Sequence, residues 1–233
     1  MKIGLAQIRP KKGEKENNLQ NHVSYIKKAS QDGCKMILFP ELSVTGYEPK
    51  LAKELALDLK DERLAQFQSL SNQKDIIIVL GAPIKTEHGI TISLVIFQPN
   101  KPQRCYSKQQ LHSDELPYFV CGKEQIILTI GAQKIAPAIC YESLQESHLL
   151  NAKELGATIY VASVAKPQRG IDKAQAYFPK MAQKHEIPIL LCNNVGFNDN
   201  FLSTGQSTSW DMNGKQGKTL EESEEGLLIV EVD

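Results

Sequence analysis

The stretch Pro137-Ala138-Ile139-Cys140-Tyr141-Glu142 decides how this chain is read. Small and apolar residues lead into Cys140, and a helical pattern runs from about Leu144 to Leu155 until Gly156 stops it. The combination predicts a buried strand that ends in a thiol just before a helix. In α/β sheets, ligand crevices lie beyond the carboxyl ends of strands. A cysteine there is by default a packing residue, because cysteine is among the most buried residue types. It becomes a candidate nucleophile only where a base and a cation reach the same place.

Working outward, two other strand ends carry that complementary chemistry. Lys35 to Phe39 is a short apolar run closed by Pro40, and Glu41 follows it. Tyr106-Ser107 ends another strand-like segment, and Lys108 follows. Alone, the lysine reads as a solvated loop charge and the glutamate as a turn residue. Together with Cys140 they would supply nucleophile, base and cation.

The remaining segments frame these three. Lys2 to Arg9 reads as a strand ended by Pro10. Leu19, Val23, Ile26 and Ala29 share one helix face, with Gly33 at its stop. A second helical stretch is predicted from about Pro49 to Ser71. Asp75 to Gly81, Gly89 to Phe97 and Arg104 to Ser107 follow without helices between them, which predicts an antiparallel meander. Gly131 to Tyr141 reads as one or two strands, Thr158 to Ala162 as another, Ile171 to His185 as a helix and Pro188 to Cys192 as a strand. Gln206 to Asp211, a Met-Asn-Gly turn and Gly226 to Val232 close the chain. Helices alternating with strands, with hairpins between, predict a mixed-sheet α/β layer structure.

Composition bounds the function. The chain has 233 residues, a length that a single α/β domain over 1–233 accommodates. Lys plus Arg equals Asp plus Glu, 27 each, which argues against nucleic acid as a partner. No run approaches the roughly 20 apolar residues needed to cross a bilayer, and the N-terminus lacks signal-peptide form, so a cytoplasmic protein without membrane partners is expected. Cys34, Cys105, Cys121, Cys140 and Cys192 are odd in number, widely spaced and without a C-x-x-C pair. Neither a disulfide framework nor a zinc site is expected from them.

The segments also resemble, in order and over nearly the whole chain, the carbon–nitrogen hydrolase (nitrilase) superfamily. Lys2 to Pro10 (K-I-G-L-A-Q-I-R-P) is similar to its first strand. L-F-P-E-L-S-V-T-G-Y (Leu38 to Tyr47) resembles the segment of the general-base glutamate, which falls on Glu41. Y-S-K-Q-Q-L (Tyr106 to Leu111) resembles the lysine segment, which falls on Lys108. A-P-A-I-C-Y-E (Ala136 to Glu142) resembles the nucleophile segment, which falls on Cys140, 32 positions after Lys108. D-E-L-P-Y-F-V-C-G (Asp114 to Gly122) fits the segment of a second glutamate, Glu115. The Asn193-Asn194-Val195-Gly196 turn and Ser203 to Lys215 resemble the closing region. Two departures stand out. An arginine-phenylalanine-proline run common after the cysteine is missing, and Val164-Ala165-Lys166-Pro167 stands where relatives often carry a tryptophan.

The resemblance implies a four-layer αββα sandwich with mixed β-sheets, associating through outer helices into a homodimer or larger assembly. It implies a hydrolase that cleaves a non-peptide C–N bond of a small linear amide through a Cys140 acyl-thioester. Glu41 would move protons, Lys108 would favour the thiolate and hold the oxyanion, Glu115 would orient, and the Tyr141 N–H would be a second oxyanion donor. The chemistry needs no metal and no organic cofactor. Glu142 is expected to anchor locally rather than react. None of His22, His88, His112, His148 and His185 sits in a papain-like context. His112 could line the pocket but reads first as a surface residue, and Trp210 reads as packing in the closing strand. Of the five thiols, only Cys140 is expected to sit open beside a cation. A soluble acyltransferase, a nitrilase and a non-catalytic binding protein of the same fold are the alternatives. A fixed cation in the pocket would indicate a carboxylate-bearing substrate, and an apolar pocket a simple aliphatic amide.

Overall fold

Alternation at a period of two governs every central strand, and both faces of each are apolar. The computed structural model describes residues 1–232. Its first half runs β1 (Lys2–Gln7), α1 (Lys15–Gln31), β2 (Met36–Leu38), α2 (Ala52–Leu55), α3 (Glu62–Lys74), β3 (Ile77–Thr86), β4 (Gly89–Phe97) and β5 (Arg104–Ser107). Then follow β6 (Leu128–Ile130), β7 (Gln133–Ile139), α4 (Glu146–Glu154), β8 (Ile159–Val164), α5 (Gln168–His185) and β9 (Ile189–Asn193). Four short strands close the chain: β10 (Val195–Phe197), β11 (Leu202–Thr204), β12 (Thr208–Trp210) and β13 (Gly226–Glu231).

The strands form two mixed sheets, ordered β13-β1-β2-β3-β4-β5 and β12-β9-β8-β7-β6, plus a β10-β11 ribbon. Alternate residues sort into three cores. Leu5, Leu38 and Val79 of the first sheet share one with Ile139, Val161 and Leu190 of the second, so the sheets face each other. Their neighbours Ala6, Ile37 and Ile78 pack instead with Leu19 and Ile26 of α1 and Phe67 of α3. On the far side, Ala138, Ala162 and Leu191 pack with Leu149 of α4 and Phe178 of α5. Three interlayer cores make four layers, αββα, as the resemblance implies. Trp210 joins the outer core against Phe178, with ring centroids 5.4 Å apart.

Direction within the sheets places the strand ends. β2 and β3 are parallel, β4 reverses, and β5 reverses again, so β2 and β5 point the same way. In the other sheet β7, β8 and β9 are all parallel. The Ser163 hydroxyl, near the end of β8, donates to the Phe39 carbonyl just past β2 at 2.8 Å, which joins the carboxyl ends of the two sheets.

One expectation needs correction. The helix expected over Pro49–Ser71 is broken: Leu57 leaves it to form a parallel bridge with Ile84. Its N–H and carbonyl bond the backbone of Pro83 and Lys85, both at 2.9 Å. α3 then restarts with Asp61 capping the Arg63 N–H. On α1 His22 joins the expected face, where Val23 is partly buried against the same core as Leu19 and Ile26. His22 is accommodated by the Asn18 carbonyl at 2.5 Å and the Ser43 hydroxyl at 2.9 Å. Burial lowers its pKa to about 4, so it rests neutral.

Candidate active site

Glu41, Lys108 and Cys140 leave from those joined strand ends. Glu41 follows β2 across Pro40, in a turn pressed against β3. A Cβ added at Gly81 would stand 2.1 Å from the Pro40 carbonyl oxygen and 2.6 Å from the Leu42 nitrogen, so only glycine admits the turn. Lys108 follows β5, its N–H donating to the Ile92 carbonyl at 2.8 Å. Cys140 follows β7 with φ of +46°, an uncommon conformation for a residue with a Cβ. That turn lifts it out of the strand, and its N–H still donates to the Ser163 carbonyl at 3.0 Å.

The lysine is the hub. Its ammonium donates to Glu41 Oε1 and to Glu115 Oε1, each at 2.7 Å. Tyr47 donates its hydroxyl to the same Glu115 oxygen at 2.8 Å. The His112 N–H donates to the other oxygen, Oε2, also at 2.8 Å. Glu115 is thereby fully engaged. Glu41 Oε2 has no hydrogen-bond partner among the described residues. A buried carboxylate with one oxygen uncommitted can take up a proton.

The electrostatics follow from burial. Burial above all raises the Glu41 pKa to about 7, although Lys108 pulls it down. Burial works against the Lys108 ammonium, but Glu41, Cys140 and Glu115 more than offset it and raise its pKa. Burial and then Glu41 push the Cys140 thiol up to about 11, while Lys166 and Lys108 pull it the other way. Lys108 does pull toward the thiolate, but burial and Glu41 outweigh it. Its charge is already shared by two carboxylates, so the thiol rests protonated.

Glu142 is the anchor expected, with a longer reach. Its Oε1 accepts from the Tyr106 hydroxyl at 2.5 Å and the Ile139 N–H at 2.8 Å. Its Oε2 accepts from the N–H groups of Gln109 at 2.6 Å and Gln110 at 3.2 Å. One buried side chain thus ties the turn of Cys140 to the segment just after Lys108. His148 extends the network, bonding the hydroxyls of Tyr106 at 2.8 Å and Tyr160 at 2.7 Å.

A cleft of about 640 Å³ opens over Cys140, with Tyr47, Glu115, Tyr141 and Phe201 in its wall. His112 also lines it, although its side chain is largely exposed and bonds Asp114 at 2.6 Å. Reading the sequence singled out neither Tyr47 nor the cations Lys166, Arg169 and Lys173, which line the same cleft. Lys166 was visible only as a departure from the family pattern. Cys121 is exposed whereas Cys140 is half-buried in the cleft wall, so Cys140 is not alone in being open.

A family model for carbon–nitrogen hydrolases matches residues 2–233. The chain belongs to this family. Among solved structures it resembles the amidase from Nesterenkonia sp. AN1, in a form carrying acrylamide on its active-site cysteine, with a TM-score of 0.91 and 20% identity over 100% of this chain and 93% of that one. At that identity the likeness concerns the fold. Among curated proteins it is 26% identical to the probable nitrilase C965.09 of Schizosaccharomyces pombe, covering 99% of this chain and 88% of the relative. It is 27% identical to the glutamine-dependent NAD(+) synthetase of Acinetobacter baylyi, but there the alignment covers 100% of this chain and only 44% of the synthetase. The chain thus spans less than half the length of that relative.

Proposed function

We propose that this family member hydrolyses a small linear amide through a Cys140 acyl-thioester. The observation that carries the reading is the buried relay of Glu41, Lys108 and Glu115, with two 2.7 Å contacts beside the Cys140 turn. The Cys140 sulfur attacks the amide carbonyl carbon while Glu41 takes the thiol proton. The oxyanion is held by the remaining Lys108 N–H and the Tyr141 N–H, a kind of donor whose loss typically costs on the order of 100- to 1,000-fold in rate. The C–N bond breaks as Glu41 returns the proton to the departing nitrogen, releasing ammonia or an amine. Water then attacks the thioester carbonyl and gives a proton to Glu41. The acid leaves and the thiol is restored. Glu115, held by Tyr47, keeps Lys108 in place.

Ammonia release from a panel of amides tests this. Wild type should release ammonia without an added amine acceptor, and Cys140→Ala and Glu41→Gln should lose nearly all of it. Turnover only with an acceptor amine would establish the acyltransferase instead. A homodimer through the outer helices is proposed alongside, and a monomer by sedimentation at micromolar concentration would overturn it. No helix among the described residues is long and apolar enough to cross a membrane.

A further inference from the structure

We infer that the cleft over Cys140 is built for an amide whose far end is a carboxylate, held by Lys166 with Arg169 and Lys173 at the rim. The inference rests on the amidase reading and names its substrate class.

Lys166 is fixed on both sides of its backbone. Its N–H donates to Asn193 Oδ1 at 2.8 Å, and its carbonyl accepts from Asn193 Nδ2 at 3.1 Å. The same Asn193 amide reaches the Gly205 carbonyl at 2.9 Å. The side chain is placed as well. Its stem lies on the first turn of α5, where a Cβ at Gly170 would come within 3.1 Å of Lys166 Cβ and 3.3 Å of its Cγ. Residue 170 must be small for the lysine to lie there.

The charge on that stem is unanswered. Lys166 is only 6% exposed, yet its ammonium has no hydrogen bond or ion pair with any described residue. With the stem buried and only the head open to the cleft, the ammonium has few partners until an anion arrives there. The carboxylates of the cleft are committed elsewhere, Glu115 to Lys108 at 2.7 Å and Asp114 to His112 at 2.6 Å. Arg169 and Lys173, one helical turn apart, line the same cleft and are likewise without an ion pair among the described residues. Three cations face one cleft whose own carboxylates, Glu115 and Asp114, already have partners, and together they make an acid-binding end. Leu144 and Phe201 supply apolar wall for the methylenes between the two ends of such a substrate.

Lys166 also favours ionisation of the Cys140 thiol. If that were its whole task, removing it would slow every substrate alike. The test therefore compares glutaramate with valeramide and succinamate with butyramide. Each pair has equal chain length, with a carboxylate or a methyl at the far end. Wild type should favour the acid by about 100-fold in kcat/KM, the size of a well-placed charge-assisted pair. In Lys166→Met the ratio should fall to within about 5-fold of unity, and Lys166→Arg should restore part of it. A general loss of activity cancels from this ratio. Equal rates on acid and methyl amides in wild type, or an unchanged ratio in Lys166→Met, would overturn the inference.

A second readout needs no turnover. Glutarate should protect Cys140 from iodoacetamide in wild type and not in Lys166→Met. If no amide is hydrolysed but this Lys166-dependent protection holds, the acid site stands and the amidase reading falls. If amides are hydrolysed without acid preference and glutarate gives no protection, the amidase reading stands and the acid site falls.

Discussion

Lys108 Nζ stands 2.7 Å from Glu41 Oε1, and solvent reaches neither side chain. The same ammonium also serves Glu115, so one positive charge faces two carboxylates. With both ionised, the surplus is negative. That surplus, together with burial, keeps the nearby thiol protonated and holds Glu41 within reach of a proton at neutral pH.

The pH dependence of turnover follows. Glu41 must be ionised to accept the thiol proton, and its pKa is raised to about 7. The kcat/KM value should therefore climb roughly tenfold per pH unit below about 7 and level off above it. A profile flat from about pH 5 to 8 would show that another group is the base.

The same shift makes a stability statement. Glu41 has a pKa above its ordinary 4.5 in the folded chain. The folded state therefore holds this proton more tightly than the unfolded state, a contribution fully present below 4.5 and lost as pH rises through about 7. Wild type should lose urea resistance relative to Glu41→Gln between about pH 5 and 8, because all other titrations are common to the two. Parallel curves would contradict the burial argument.

Thiol labelling should split in two. Exposed Cys121 should react with iodoacetamide without consequence, whereas loss of activity should track modification of Cys140. Burial pushes Cys34 up to about 11 and raises Cys192 further, so both should stay unmodified. Peptide mapping at partial inactivation checks this, and a Cys121→Ser variant that resists inactivation would name the wrong thiol.

The turn at Cys140 holds a non-glycine residue at φ of +46°. Such a conformation costs about 1 kcal/mol in a residue with a Cβ. Cys140→Gly should therefore unfold at higher urea than Cys140→Ala, with both inactive. Equal midpoints would mean the turn is unstrained.

Glu142→Ala should be among the most damaging substitutions away from the thiol. It strips partners from the Tyr106 hydroxyl and three backbone N–H groups, at about 1–3 kcal/mol for each donor left buried and unsatisfied. A loss under about 1 kcal/mol would show that water replaces the carboxylate without difficulty.

Much of this was legible in the sequence, for a physical reason. A strand buried on both faces is apolar throughout, as Met36 to Leu38 and Ile76 to Leu80 are, and such runs stand out. Residues that react must leave from strand ends, which exposes Glu41, Lys108 and Cys140 to a linear reading. What stayed hidden depends on distant partners. Leu57 breaks a helical pattern because Ile84 is beside it, and nothing near position 57 says so. β10 and β11 are three residues each, too short for periodicity to speak. Glu142 looks local, yet it answers Gln109 and Gln110. Lys166 becomes a lone buried cation only once α5 packs over its stem.

The pairing of β1 with β13 also bears on how the chain is made. Lys2 lies opposite Glu231, and the Met1 amino group bonds the Val232 carbonyl at 2.6 Å, 231 positions away. On the ribosome β1 emerges before β2 and finds it within tens of residues, but its other edge waits for β13. For that interval an apolar strand offers open backbone to any strand nearby, including β1 of a neighbouring nascent chain. Yield in a cell should therefore be governed by translation speed and chaperone cover as much as by the strength of the finished sandwich.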